Sequence, residues 1–212
     1  MAGVAGLVFV LLFVTGFSFI ASSPGGDAPD DELTSFYADE GERLLTIIGG
    51  YIIPFAGIAF LWFAAAIRIV FLELPKKRSV VFAPMQFAAS ILFVAAFFTA
   101  AATAVASAAA VEFLDSPEDV NPDVLRMLQQ LASAIMFVLG IRMAGMFVIT
   151  TSNLGRGIMP RWLVVIGALV GVVLLLAISF SVLFVLIFPA WVVLLSGWLL
   201  LVPGRGTNVY AG

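Results

Sequence analysis

Four long stretches of the chain carry no charged residue, and the segments between them hold the charges. The uncharged windows are 2–22, 44–67, 88–111 and 162–202. A helix that crosses a bilayer needs about 20 consecutive apolar residues, so each window is long enough for at least one crossing. The pattern predicts an all-α fold, a polytopic transmembrane bundle that forms a single domain over residues 1–212.

These windows, together with a further mainly apolar stretch at about 122–152 that contains Arg142, predict six transmembrane helices. They are expected to cover about residues 2–22, 44–74, 79–113, 122–152, 160–179 and 181–202. The first window lacks the basic start and the A-x-A pattern of a secretory signal, so we interpret it as a helix. The last window holds 41 residues, or about 60 Å of helix, which is twice the thickness of a ~30 Å hydrocarbon core. It is therefore expected to fold back near Ser179–Ser181.

Local signals refine the polar segments. In the first polar segment, Pro29 suits the first turn of a short helix, and Leu33, Phe36, Tyr37 and Leu44 recur at helical spacing, which favours a helix along the membrane surface. The motif PKKR, residues 75–78, is expected to form a tight basic turn. Asn121 is the expected N-cap of the fourth helix, with Pro122 at its first position.

Charge divides the polar segments into two classes. Two of them contain twelve of the thirteen acids, namely Asp27, Asp30, Asp31, Glu32, Asp39, Glu40, Glu42, Glu112, Asp115, Glu118, Asp119 and Asp123. The basic residues outside these segments are Arg68, Lys76, Lys77, Arg78, Arg156, Arg161 and Arg205, together with Arg142 inside the fourth helix. Because lysine and arginine accumulate in cytoplasmic loops, the basic side is expected to face the cytoplasm. This places both termini there, in a multi-pass protein of a bacterial plasma membrane.

The composition of the chain limits the kinds of catalytic and metal sites that it can form. The chain is 63% hydrophobic and 11% charged, against roughly 45–50% and 25% in soluble proteins. It has no cysteine and no histidine, which removes thiolate nucleophiles, the usual haem ligand and the commonest general base. Asp27, Asp30, Asp31 and Glu32 lack the spacing of a calcium loop and fit a solvated face better. We therefore expect no enzyme, no cofactor, no metal and no nucleic-acid partner.

Arg142 is the main candidate for a functional contact because it lies near the middle of the fourth predicted helix. An arginine at the centre of a helix in lipid costs roughly 2.5–3.5 kcal/mol, so it should face the bundle interior. One interpretation has it bonding to helix carbonyls or to hydroxyls such as Thr99, Thr103 or Ser107, or snorkelling towards water. The other has it holding an anion, which could be a lipid phosphate, a substrate carboxylate or an acid on a partner. Arg68 is the second candidate for a ligand or partner contact.

Small residues indicate where helices approach each other closely. Gly167 and Gly171 form a G-x-x-x-G pattern in the fifth helix, and Gly140 and Ala144 lie on the fourth. Such spacing lets helix backbones come together. Packing within the chain is favoured over dimerisation. The alanine-rich run TAAATAVASAAA, residues 99–110, is interpreted in the same way.

The stretch ITTSNLGRGIMPRWLVVIGALVGVVLLL, which includes a Pro-Arg-Trp-Leu turn at Pro160–Leu163, resembles the end of small uncharacterised six-span membrane proteins of actinobacterial type. The resemblance is carried mainly by residues 150–175. It implies the six-span layout and no activity.

Two functions fit these patterns. The first is a non-catalytic accessory or scaffolding subunit of a larger membrane complex, with membrane lipids and other membrane subunits or further copies of itself as partners. It is favoured by the abundance of phenylalanine and small residues and by the scarcity of buried polar groups. The alternative is a small transporter, or an anion- or lipid-binding protein, that uses Arg142.

Overall fold

The computed structural model of this chain describes residues 1–25, 27–72, 76–112, 121–176 and 181–201. Every regular element in these ranges is helical, which confirms the all-α prediction. The helices are α1 (Ala2–Ala21), α2 (Asp30–Ala38), α3 (Glu40–Leu72), α4 (Lys76–Glu112), α5 (Pro122–Ala134), α6 (Ile141–Leu154), α7 (Arg161–Leu176) and α8 (Val182–Leu201). A π-helical segment, Ile135–Gly140, joins α5 to α6 in one continuous rod.

Five of these rods are long and apolar enough to cross a membrane, so the protein is membrane-embedded. They are α1, α3, α4, the α5–α6 rod and α8. The predicted count of six spans is not confirmed, because α7 is described over 16 residues, or about 24 Å of helix. Residues 177–180, where the predicted reversal begins, lie outside the described residues.

Two sequence signals at helix ends have clear outcomes. The Asn121 side chain accepts a hydrogen bond from the backbone N–H of Asp123 at 2.8 Å, and Pro122 opens α5, which confirms the predicted cap. The prediction of a basic turn at 75–78 is wrong for its last three residues. Lys76–Arg78 form the first turn of α4, and Pro75 lies outside the described residues.

Close contacts at glycines give the directions of the helices. A Cβ atom added at Gly145 of α6 would lie 2.9 Å from the carbonyl oxygen of Gly171, and one added at Gly167 would meet Ser152. A residue later in α6 therefore contacts a residue earlier in α7, so the two helices are antiparallel. In the same way, Gly3 of α1 lies against Leu200 of α8. The two ends of the described chain consequently lie at the same end of the bundle.

A cluster of five phenylalanines fills the middle of the bundle. The rings come from α1, α3, α4, α6 and α8 and are those of Phe9, Phe60, Phe93, Phe147 and Phe188, all buried. The Phe60 ring centroid lies 4.9–5.0 Å from those of three of the other members. Aromatic pairs in tilted or edge-to-face contact at this distance contribute about 0.5–1.5 kcal/mol each beyond their burial. The cluster therefore closes the centre of the bundle with apolar rings.

The nine acidic residues of the described ranges gather at one end of the bundle, which we call the acidic end, and α2 packs across it. Leu33 and Tyr37 of α2 are buried against the last turns of α4 and the start of α5. Their burial explains the helical spacing of these two residues in an otherwise polar segment. We use the name "cap" for α2 together with the ends of α3, α4 and α5 on which it packs.

Candidate functional site: a cavity beneath the cap

A cavity of about 230 Å³ lies between α1, α3, α4 and the α5–α6 rod at the acidic end. Its lining residues are Phe17, Ile20, Ala21, Ser23, Pro24, Gly25, Ile53, Phe97, Ala100, Ala101, Ala104, Gln129, Ala132, Ser133, Met136 and Phe137. For scale, an apolar cavity of about 150 Å³ can hold a benzene molecule. The space therefore suits one slender apolar group rather than a large ligand.

The lining changes from polar to aromatic with depth. Ser23 and Gln129 lie at the end nearest the cap, and the rings of Phe17, Phe97 and Phe137 lie further into the bundle. Between them the wall is mainly alanine, from α4 and α5. We call the end with Ser23 and Gln129 the mouth of the cavity and the end with the three rings its floor. Polar groups at one end and apolar rings at the other match a molecule that has a polar head and an apolar chain.

Hydrogen bonds and ion pairs hold the cap in place over this cavity. The Gln129 amide Nε2 donates to the Tyr37 hydroxyl at 2.6 Å, in a buried position. Arg126 forms an ion pair with Asp30 at 2.6 Å and donates to the carbonyl oxygen of Ala28. These contacts bind α2 and the segment before it to α5, whose residues also line the cavity.

A second arginine fixes the other end of α2. Arg43 donates to the carbonyl oxygens of Tyr37 and Ala38 at 2.8 and 3.0 Å and forms an ion pair with Glu112 at 2.9 Å. Arg43 and Arg126 are the two basic residues located among the acids in the sequence. Their contacts show that both are used to hold the cap.

Arg142 lies just beyond the cavity and bonds to one of its walls. It is half-buried, and its Nη1 donates to the main-chain carbonyl oxygen of Phe137 at 2.5 Å. Arg142 follows Phe137 by five residues, which is the spacing that backbone hydrogen bonds join in a π-helix. The side chain of Arg142 therefore reaches back over one π-helical turn to bond to Phe137. Side chains on helices point towards the N-terminal end, which here is the acidic end. The structure therefore provides a helix carbonyl as a partner of Arg142.

The other candidate, Arg68, lies elsewhere. It is located one turn before the end of α3, and its guanidinium lies 5.3 Å from the centre of the Phe87 ring. Its Nε is buried and has no hydrogen-bond partner within the described part of the chain. Phe71 at the end of α3 contacts Gly155 just after α6, whereas Arg142 precedes Leu154 by twelve residues, about 18 Å along the helix. The structure does not bring the two arginines together.

The small residues selected from the sequence lie in different places. Gly167 and Gly171 face α6, where an added Cβ atom would meet Ser152 in one case and Ile149 in the other. Ala144 is buried in the main core. An added Cβ atom at Gly140 would lie 3.0 Å from the sulfur of Met136 in its own rod and 3.9 Å from Ala96 of α4. The G-x-x-x-G pattern thus faces a neighbouring helix of the same chain.

The alanine wall is the part of the site that sequence reasoning missed. Ala100, Ala101 and Ala104 belong to the run interpreted as tight helix packing, yet they border an open space. Alanine spacing is identical in both cases, because the sequence does not show whether the neighbouring helix fills the space that a small side chain leaves. The π segment, which contributes Met136 and Phe137, has no sequence signal that we can identify.

Comparisons with protein-family models, with curated proteins and with solved structures found no match. The resemblance to small six-span membrane proteins stays a prediction. Any function must be argued from the cavity, the cap and the charges around them.

Proposed function

We propose that this chain is a non-catalytic membrane protein that binds one amphiphilic molecule in the cavity beneath its cap. The observation that carries the proposal is the cavity itself, with polar atoms at its mouth and three aromatic rings at its floor. Burial of an apolar chain against such walls is favourable by about 25 cal/mol per Å² of apolar surface. Binding by insertion of a chain requires no catalytic group.

We further propose the orientation in which the acidic end faces outward and the basic end faces the cytoplasm, with both termini at the cytoplasmic side of a bacterial plasma membrane. The charge bias supports it, and the antiparallel packing of α7 on α6 supports a sixth pass despite the short length of α7. In this orientation the cavity opens towards the outer leaflet, where lipid chains and their heads are within reach.

This proposal moves the ligand away from Arg142, which is absent from the cavity lining. The contribution of Arg142 is indirect, because it bonds to the carbonyl group of Phe137. The Phe-filled centre of the bundle favours a binding role over a transport role, since apolar rings occupy the middle of the molecule.

The test is to fill the cavity. Ala101 lines it, and the neighbouring Ala102 is exposed on another face of α4. Ala101→Leu should abolish labelling of the cavity by a dodecanol that carries a photoreactive diazirine at its chain end, and Ala102→Leu should leave labelling unchanged. Filling a void does not force the fold open, so both variants are expected to fold. Equal labelling of both variants would exclude the cavity as the binding site.

A role as an accessory subunit of a larger complex is a second proposal, and the cap supports it. Arg43 and Arg126 cross-link four chain segments at the acidic end, so the cap presents a fixed surface beyond the apolar core. Gentle extraction from the native membrane followed by identification of co-migrating proteins tests this role. A chain that migrates alone with a bound amphiphile contradicts it.

A further inference from the structure

The charges around the cavity mouth are unequal. The described residues of the acidic end include nine acids and two arginines, Arg43 and Arg126, which gives a net charge of −7. Both arginines already bond to carboxylates and carbonyl groups of the cap. A concave site bordered by charge of one sign concentrates ions of the opposite sign. The mouth is therefore suited to a cation.

One carboxylate lies directly beside the mouth. Gly25 lines the cavity, and a Cβ atom added at Gly25 would lie 2.6 Å from Oδ1 of Asp27. Asp27 is exposed, so a charged group that stands at the mouth can approach it from water. No ion pair of Asp27 is formed within the described residues, unlike Asp30, which is paired with Arg126.

The end of α1 adds a second source of negative potential. The last residue of α1, Ala21, lines the cavity, as does Ser23 two residues later. The C-terminal end of a helix carries a partial negative charge of about half an elementary charge and stabilises nearby cations. This contribution comes from the backbone and is independent of the acidic side chains.

The polar atoms at the mouth also include acceptors for a cationic donor. Gln129 uses its Nε2 to donate to Tyr37, and the other polar atom of its amide is an oxygen, which can only accept. The Ser23 hydroxyl lies 3.3 Å from that of Thr46, which itself donates to the carbonyl of Glu42. Ser23 then acts as the donor to Thr46, and its own lone pairs can accept.

From these observations we infer that the ligand of the cavity is a single-chain amphiphile with an ammonium head, whose chain lies among Phe17, Phe97 and Phe137 and whose head lies beside Asp27. This inference rests on the proposed function, because it specifies the ligand of the same cavity. The volume of about 230 Å³ favours one chain over two. The negative potential of the acidic residues and of the α1 C-terminus disfavours an anionic head.

Three photoreactive probes with the same dodecyl chain and a terminal diazirine separate the alternatives: an amine, an alcohol and a carboxylate. The protein is placed in phosphatidylcholine vesicles, and the labelled residues are mapped by mass spectrometry. The amine should label the cavity floor at a concentration roughly tenfold lower than the carboxylate, which corresponds to about 1.4 kcal/mol, and below that of the alcohol.

Asp27→Asn should reduce the preference for the amine several-fold and leave labelling by the alcohol unchanged. Glu32→Gln is the matched control, since it removes one acid from α2 that does not adjoin the cavity lining. If the amine, alcohol and carboxylate label the floor equally well, the ammonium head is wrong and the proposed function stands. If Glu32→Gln acts as strongly as Asp27→Asn, a head placed beside Asp27 is wrong. If no probe labels the floor, the proposed function itself fails.

Discussion

The guanidinium of Arg142 donates to the main-chain carbonyl oxygen of Phe137 at 2.5 Å, and Phe137 is also part of the cavity wall. An intramembrane charge and a candidate binding site are therefore connected through a single hydrogen bond within one rod. The bond attaches the Arg142 side chain to the π segment, which forms part of the cavity wall.

Arg142→Gln should lower the free energy of unfolding by about 1–3 kcal/mol, since the shorter amide cannot reach back five residues and hydrogen bonds to charged groups are worth about that much. Loss of the charge should not offset this destabilisation. The Arg142 side chain is within the membrane both in the folded bundle and after the helices separate, so the cost of a charge in lipid is present in both states. Reversible unfolding in mixed micelles measures the change.

The control for Arg142 is Arg156→Gln, which removes an exposed arginine at the basic end and should change stability by less than about 0.5 kcal/mol. If Arg142→Gln retains full stability, the bond to Phe137 contributes nothing. Photolabelling of Phe137 by the dodecanol probe should fall in the same variant, which connects stability to the form of the cavity.

The close contact between α6 and α7 predicts a second effect. A Cβ atom at Gly171 would lie 3.0 Å from the carbonyl oxygen of Gly145 and closer still to the Ile149 side chain. Because backbone atoms cannot move aside independently, Gly171→Ala should destabilise the bundle by about 1–3 kcal/mol. Thermal unfolding in detergent measures the loss.

Gly197→Ala provides the matched control, because a Cβ atom at Gly197 of α8 would have no neighbour within 4 Å among the described atoms. This variant gains helix propensity without a clash and should be neutral or slightly stabilising. Equal effects at both positions would mean that α6 and α7 are further apart than the structure shows.

The helices follow from the sequence because length and hydropathy dictate them. The predicted helices at 2–22, 44–74, 79–113, 122–152 and 181–202 agree with α1, α3, α4, the α5–α6 rod and α8 to within a few residues. In contrast, the 41-residue run that ends the apolar sequence has no internal charge to mark a turn, so the length of α7 was not predictable. The absence of a charge within this run is the physical reason why the predicted count of six spans is not confirmed.

The site was predictable only in its components. The sequence singled out Arg142 by its cost in lipid, but Arg142 bonds to a backbone carbonyl, and every residue carries one. The cap was partly visible, because Leu33 and Tyr37 recur on one face of a polar segment. The cavity depends on how far apart four helices lie at one level, and no spacing of alanines along α4 encodes that separation.

The hydrogen bond between Gln129 and Tyr37 predicts how strongly the cap is held. Tyr37→Phe preserves the buried ring and leaves the Gln129 amide without its acceptor, at a cost of about 1–3 kcal/mol. Hydrogen exchange of the α2 amides should accelerate accordingly. The control is Tyr51→Phe, since Tyr51 is 72% exposed and should not alter exchange. Unchanged exchange in Tyr37→Phe would show that the arginine contacts alone hold the cap.

The proposed orientation can be tested directly because the chain contains no cysteine, so every introduced thiol is unique. Ser35 on α2 and Arg156 after α6 are both exposed and lie at opposite ends of the bundle. Ser35→Cys should react with an impermeant maleimide in intact cells, and Arg156→Cys should react only after the membrane is opened, because the proposed orientation places the basic end in the cytoplasm. The reverse result would invert the protein and place the cavity in the inner leaflet. Ser181→Cys then tests α7: reaction from the same side as Ser35→Cys supports a sixth pass, and reaction from the side of Arg156→Cys means that α7 enters the membrane and returns.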